Sequence, residues 1–129
     1  MNDNMVVVKS NTWGNFSNIR NPQKRIRLMK KYRILGKYPF IDHYNIYAYK
    51  MKHQKGKAKE EQTFLISYAY NYDAFANETQ FVNEINEIGL CFYKENCIYN
   101  NKNAYKIIIY EPLCPIETIK LFDDKKLNL

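Results

Sequence analysis

Acidic residues are missing from most of the first third of this chain: none lies between Asp3 and Asp42, an interval holding nine lysines and arginines. A stretch so one-sided is either a surface that holds an anion or a solvated helix of a lysine-rich chain, and it departs from the usual solvated pattern, in which helices mix signs and gain a few tenths of a kcal/mol from each opposite pair at i and i+4. Long apolar runs are missing too. Nothing approaches the eighteen or so residues that cross a bilayer, and "MNDNMVVVKS" lacks the basic start and apolar run of a secretory signal. The expected location is therefore the cytoplasm, or the host cytoplasm if a phage or virus encodes the chain.

Cysteine is scarce and odd in number: Cys91, Cys97 and Cys114 stand at no metal-ligand spacing. Three free thiols in a reducing compartment are expected, with no disulfide framework and no metal site. With only four glycines, the chain contains no phosphate-cradling loop or dinucleotide fingerprint, and it also lacks a nucleophile elbow and a zinc-binding HExxH. No cofactor is expected, and the balance leans against an enzyme. The one titratable pairing that suits acid–base chemistry is His43 beside Asp42, with His53 further on. Metal-free RNA cleavage by His43 with Lys50 or Tyr47 is the enzymatic alternative. Neighbours on a strand point to opposite faces, so Asp42 cannot orient His43 by adjacency alone.

What is present suffices for a core. The 129 residues fit a single domain spanning 1–129, and 46% apolar and 16% aromatic content place it well clear of disordered chains. Lysine, asparagine, isoleucine and tyrosine all have AT-rich codons, so part of the +7 net charge reflects base composition. Its distribution does not: residues 1–60 carry 14 cations against 3 acids and residues 61–129 carry 6 against 10, giving +11 and −4. Segregation of this kind speaks to partners rather than to fold.

Along the chain, "MVVVK" reads as a strand and "SNTWGNFSNIRN" as a polar loop. A helix then opens with Asn21 as N-cap and Pro22 in the first position, and stops at Gly36. Its segment "KRIRLMKKYRIL" (24–35) holds six cations and no acid. At 100° per residue Leu28, Met29, Tyr32 and Leu35 form an apolar arc, opposed by Lys24, Arg27, Lys30 and Lys31. "PFIDHYNIYAYKMKH" and "QTFLISYAYNYD" read as strands joined by the basic loop "QKGKAKEE". On the second, Phe64, Ile66, Tyr68, Tyr70 and Tyr72 share one face. "NETQFVNEINEIG" has Asn77 and Gln80 at capping spacing, a core stripe of Phe81, Val82, Ile85 and Ile88, outward Asn83, Glu84, Asn86 and Glu87, and Gly89 as its stop. "LCFYK" and "AYKIIIY" read as strands around the turn "NNKN", and "PIETIKLF" as a terminal helix.

The order β-α-β-β-α-β-β-α predicts an α+β fold: an antiparallel sheet with helices mainly on one face, its first six elements fitting the ferredoxin-like βαββαβ pattern. RNA-recognition modules share that order, but "KAKEEQTFLISY" has neither the glycine nor the cationic character of their third-strand motif.

Single-stranded nucleic acid is held by cations along phosphates and aromatic faces under bases. The sequence points to both. Arg20, Lys24, Arg27, Lys30, Lys31 and Lys37 of the helical region, with Lys50, Lys52, Lys55 and Lys57 of the hairpin, are the expected phosphate ligands, and Tyr47 and Tyr49 the expected stacking residues. The expected function is therefore non-enzymatic binding of RNA, DNA or a nucleic-acid-handling protein. A phage or mobile-element inhibitor of a host defence protein is the alternative, and a tyrosine-rich strand edge also suits homodimerisation.

Overall fold

Asparagine at two successive positions shapes one end of the sheet. Asn100 and Asn101 both adopt left-handed backbone, φ 52° and 63°, and a two-residue loop of that hand matches the twist of antiparallel strands. A computed structural model describes residues 5–8, 22–38, 41, 44–50, 61–70 and 78–122, without the side chains of 5–8, 24, 25, 48, 50 and 61. In it the loop joins β4 (Cys91–Tyr99) to β5 (Lys102–Tyr110). Both strands are longer than their apolar cores suggest, because the turn occupies only Asn100 and Asn101.

The other strands are β1 (Met5–Val8), β2 (Tyr44–Lys50) and β3 (Glu61–Ala69). The helices are α1 (Pro22–Tyr32), continued by a 3-10 turn at Arg33–Lys37, α2 (Glu78–Glu87) and α3 (Ile116–Lys120). The fold is α+β. Its sheet has the order β1-β2-β3-β5-β4, and each neighbouring pair is antiparallel. In a ferredoxin-like sheet each β-α-β crossover joins two parallel strands that a third strand separates. β5 does lie between β3 and β4, but β1 and β2, joined through α1, are direct antiparallel neighbours, so the expected ferredoxin-like order is not reproduced.

The central strands β3 and β5 are buried on both faces, which explains "IIIY": every residue from Ile107 to Ile109 is fully enclosed. On one face Leu28 and Tyr32 from α1, Leu35 from its 3-10 extension, and Phe81 and Ile85 from α2 pack with Ile46, Leu65, Ile107 and Ile109. On the other, Ile119 of α3 and the following Phe122 cover Tyr47, Phe64, Ile66 and Ile108. Two helices therefore share one face and the short α3 takes the opposite one. Each enclosed Leu, Ile or Phe contributes roughly 1.5–3 kcal/mol by leaving water.

The C-terminal ends of α2 and α3 both have hydrogen-bonding partners. At the end of α2, Leu90 N–H donates to Ile85 O and Gly89 N–H to Asn86 O, both 3.0 Å, with Gly89 at φ 82°. This is a Schellman cap, and its apolar clasp joins Leu90 to Ile85 in one cluster. The cap turns Ile88 outward to 40% exposure, correcting its expected place in the core stripe. At α3 the buried Lys106 Nζ donates to the carbonyls of Lys120 and Phe122 at 3.2 and 2.8 Å. A cation there opposes the negative end of the helix.

Candidate nucleic-acid interface

Pro22 suits the first helical position, where its missing N–H has no partner to lose. Burial of Leu28, Tyr32 and Leu35 then fixes which way α1 faces. The resulting orientation differs from the arc predicted by the sequence: Met29 and Ile26 lie on the outside, 48% and 51% exposed, and Lys31 sits at the margin of the buried side. Arg27, Lys30 and Arg33 are exposed, and among the described residues no carboxylate pairs with them. Lys37 reaches outward, its Nζ 3.6 Å from Glu84 Oε1.

Lys31 is different. Its ammonium is ion-paired with Glu111, just beyond β5, the two side chains 23% and 11% exposed. The same carboxylate accepts from Thr63 N–H, and from Thr63 Oγ1 at 3.1 Å. That hydroxyl lies 2.8 Å from Tyr32 OH. α1, β3 and the β5–α3 connection are thus held by one polar network beneath the helix. A buried carboxylate with a cation and two further donors is well compensated, as such a charge must be. Burial pushes the Tyr32 phenol far above its usual range, the Thr63 bond pulls it back, and the Glu111 charge adds to the rise. Burial foremost, with Glu111 next, raises the Cys114 thiol to about 12. Neither group ionises near neutrality. Lys31 is therefore a structural cation, which corrects its expected role as a phosphate ligand. The acid-free interval concealed this, because the compensating carboxylate lies 80 positions away.

Glu84 of α2, expected to point to solvent, accepts a hydrogen bond from Tyr38 OH as well as pairing with Lys37. Burial and this carboxylate hold the Tyr38 phenol up at about 12.

The expected stacking residues are not beside the helix. Register places Tyr47 opposite Phe64 and Tyr49 opposite Gln62, on the face that α3 covers. Tyr47 is 1% exposed, its ring stacked on Phe64 at 5.1 Å and edge-on to Phe122 at 4.9 Å. Tyr49 packs partly buried against the same cluster. Tyr47 is a core residue and offers no face to a base. The backbone of Lys50 pairs with that of Glu61. Arg20, Lys52, Lys55, Lys57, Asp42, His43 and His53 lie outside the described residues, as do the side chains of Lys24 and Lys50.

An aromatic cluster that sequence reading did not assign lies at the β4–β5 tip. Tyr68 and Tyr99 stack at 3.9 Å with 5° between their planes, and Tyr70 stands 6.0 Å from Tyr99 at a 37° tilt. Lys102 Nζ is 5.7 Å from the centre of the Tyr70 ring. The signal was present: Tyr68 and Tyr70 share a strand face, and a two-residue Asn-Asn loop sets Tyr99 opposite Lys102.

Among the described residues no group of His, Cys, Asp and Glu is placed to hold a metal ion, and no helix is long and apolar enough to cross a membrane. No family model, curated protein or solved structure matches the chain.

Proposed function

We propose that this protein binds nucleic acid, or a nucleoprotein, through the exposed cationic side of α1, without catalysing a reaction on it. The observation that supports the reading is that Arg27, Lys30 and Arg33 stand exposed on one helix and its 3-10 extension, with no ion pair to a described carboxylate. Like charges so arranged repel, and a polyanion relieves that repulsion while releasing its own counterions. Lys37 extends the patch, and the lysines of the β2–β3 loop, Lys52, Lys55 and Lys57, extend it in sequence. A salt titration with a single-stranded oligonucleotide tests this. The logarithm of affinity falls linearly with log salt, and converting Arg27, Lys30 and Arg33 together to Ala lowers the slope by about two. An affinity indifferent to salt rejects the proposal.

A second reading is favoured by Ile26 and Met29, exposed among those cations. Apolar side chains inside a charged rim suit docking on a protein, such as a host nucleic-acid-handling or defence protein that the chain would inhibit. Capture from nuclease-treated lysate separates the two. A stoichiometric protein partner that survives nuclease and is lost in Ile26→Asp supports inhibition, and loss of all partners supports direct nucleic-acid binding.

A further inference from the structure

The face of the sheet away from α1 and α2 carries an aromatic arrangement that the cationic helix does not explain. On β5 the small Ala104 lies between Lys102 and Lys106 on that face; Lys106 is opposite Tyr68, and Lys102 opposite Tyr99. A methyl group at Ala104 leaves room for the rings of β3 and β4 to meet across β5, and they do so in parallel. Tyr70, 43% exposed, borders the stack, and its hydroxyl accepts from Asn100 Nδ2 at 3.2 Å. That bond ties the ring to the hairpin turn, so the rim is held in place before any ligand arrives. Lys102, exposed, supplies a cation beside it. Glu95, the charged acceptor further along the same face of β4, is engaged by Tyr93 OH at 2.9 Å.

We propose that Tyr70, Tyr99 and Lys102 form a platform for one unpaired nucleobase and its adjoining phosphate, separate from the α1 patch. The inference rests on the nucleic-acid reading above and adds to it the preference for single strands. A flat ring extends an existing ring stack, every base offers such a face, and the Lys102 ammonium, now over the Tyr70 ring, matches the phosphate that follows once a base takes its place. Bases inside a duplex have both faces covered and cannot reach such a platform without unstacking. Because α1 lies on the other face of the sheet, a strand touching both sites must pass around the sheet edge, and the two contributions are independent.

The test uses the full chain with two probes of equal length, a thymidine oligonucleotide and its abasic counterpart. Tyr70→Ala, an exposed replacement, and Tyr99→Ala weaken oligonucleotide binding by about 5- to 150-fold while leaving the salt slope unchanged. Tyr70→Phe, which keeps the ring and loses only the Asn100 bond, retains most of the affinity lost in Tyr70→Ala, and Lys102→Ala lowers the slope by about 0.7. The abasic probe binds wild type and Tyr70→Ala alike. Folded Tyr70→Ala that binds the oligonucleotide as tightly as wild type overturns the platform, and if the slope still falls with the α1 substitutions, the α1 reading stands alone. Loss of affinity in Tyr70→Ala with no response to the α1 substitutions leaves the platform and removes the helix. No binding of either probe at low salt overturns both.

Discussion

Lys31 on α1 and Glu111 beyond β5 form an ion pair that turns one cation of a positively charged helix inward and makes it part of the scaffold. The helix is thereby clamped over Thr63 by charge as well as by its apolar side, and Arg27 and Lys30 remain exposed.

Lys31→Met leaves the buried Glu111 without its cation, and the expected loss is about 2–3 kcal/mol, less than for a fully enclosed pair because both side chains keep some contact with water. Glu111→Gln is milder, since the amide still accepts from Thr63. The double variant recovers part of the loss. Urea unfolding at constant m-value measures all three. In the same proteins the salt slope for oligonucleotide binding is unchanged by Lys31→Met and reduced by Lys30→Ala, which separates the scaffold cation from its exposed neighbour.

Tyr47→Ala opens a cavity between Phe64 and Phe122 and destabilises the protein by about 3–5 kcal/mol. Tyr47→Phe retains the ring contacts, and oligonucleotide affinity stays at the wild-type value. A binding defect in a folded Tyr47→Phe protein would contradict the placement of this residue in the core.

Alkaline pH weakens the fold. The folded-state pKa values of Cys114, Tyr38 and Tyr32 are all raised above their ordinary values, so the native state holds these protons longer than the unfolded chain does. Their stabilising contribution is complete below the unfolded pKa, near 8.5 for the thiol and near 10 for the phenols, and is lost as pH rises. Chemical unfolding followed from pH 8 to 11 shows stability declining first through Cys114. Cys114→Ala moves the onset of the decline towards pH 10.

Two turn positions respond in opposite directions. Gly89→Ala forces a side chain into φ 82° and costs about 1 kcal/mol, although a methyl group meets nothing within 4 Å there. Asn101→Gly relieves the same kind of backbone requirement at φ 63° in a loop that favours Asn-Gly, and raises the thermal midpoint by a few degrees. Thermal unfolding of the two variants reads both effects.

Much of the fold was legible locally, since each element depends on residues within a turn or two of one another. Pro22 starts α1, Gly89 ends α2, alternation marks β3, and the asparagine pair sets the β4–β5 hairpin. The same short-range logic found the charge asymmetry and the cations at Arg27 and Lys30. It could not rank the faces of amphipathic elements that have apolar residues on both sides. Met29 was assigned to the core and Tyr47 to the surface, and the structure reverses both assignments because α1 settles by packing Leu28, Tyr32 and Leu35, while α3 and Phe122 close over β2 from the far end of the chain.

Residue chemistry and periodicity thus suffice to specify the elements and the overall sign of the charge on each half of the chain. Which cations remain available, and which tyrosines come together, depends on contacts between distant segments: Lys31 meets a carboxylate 80 positions away, and Tyr68 meets Tyr99 only because β5 inserts between β3 and β4. Such pairings arise from the competition among whole faces for burial, a property of the assembled sheet that no local window of sequence contains.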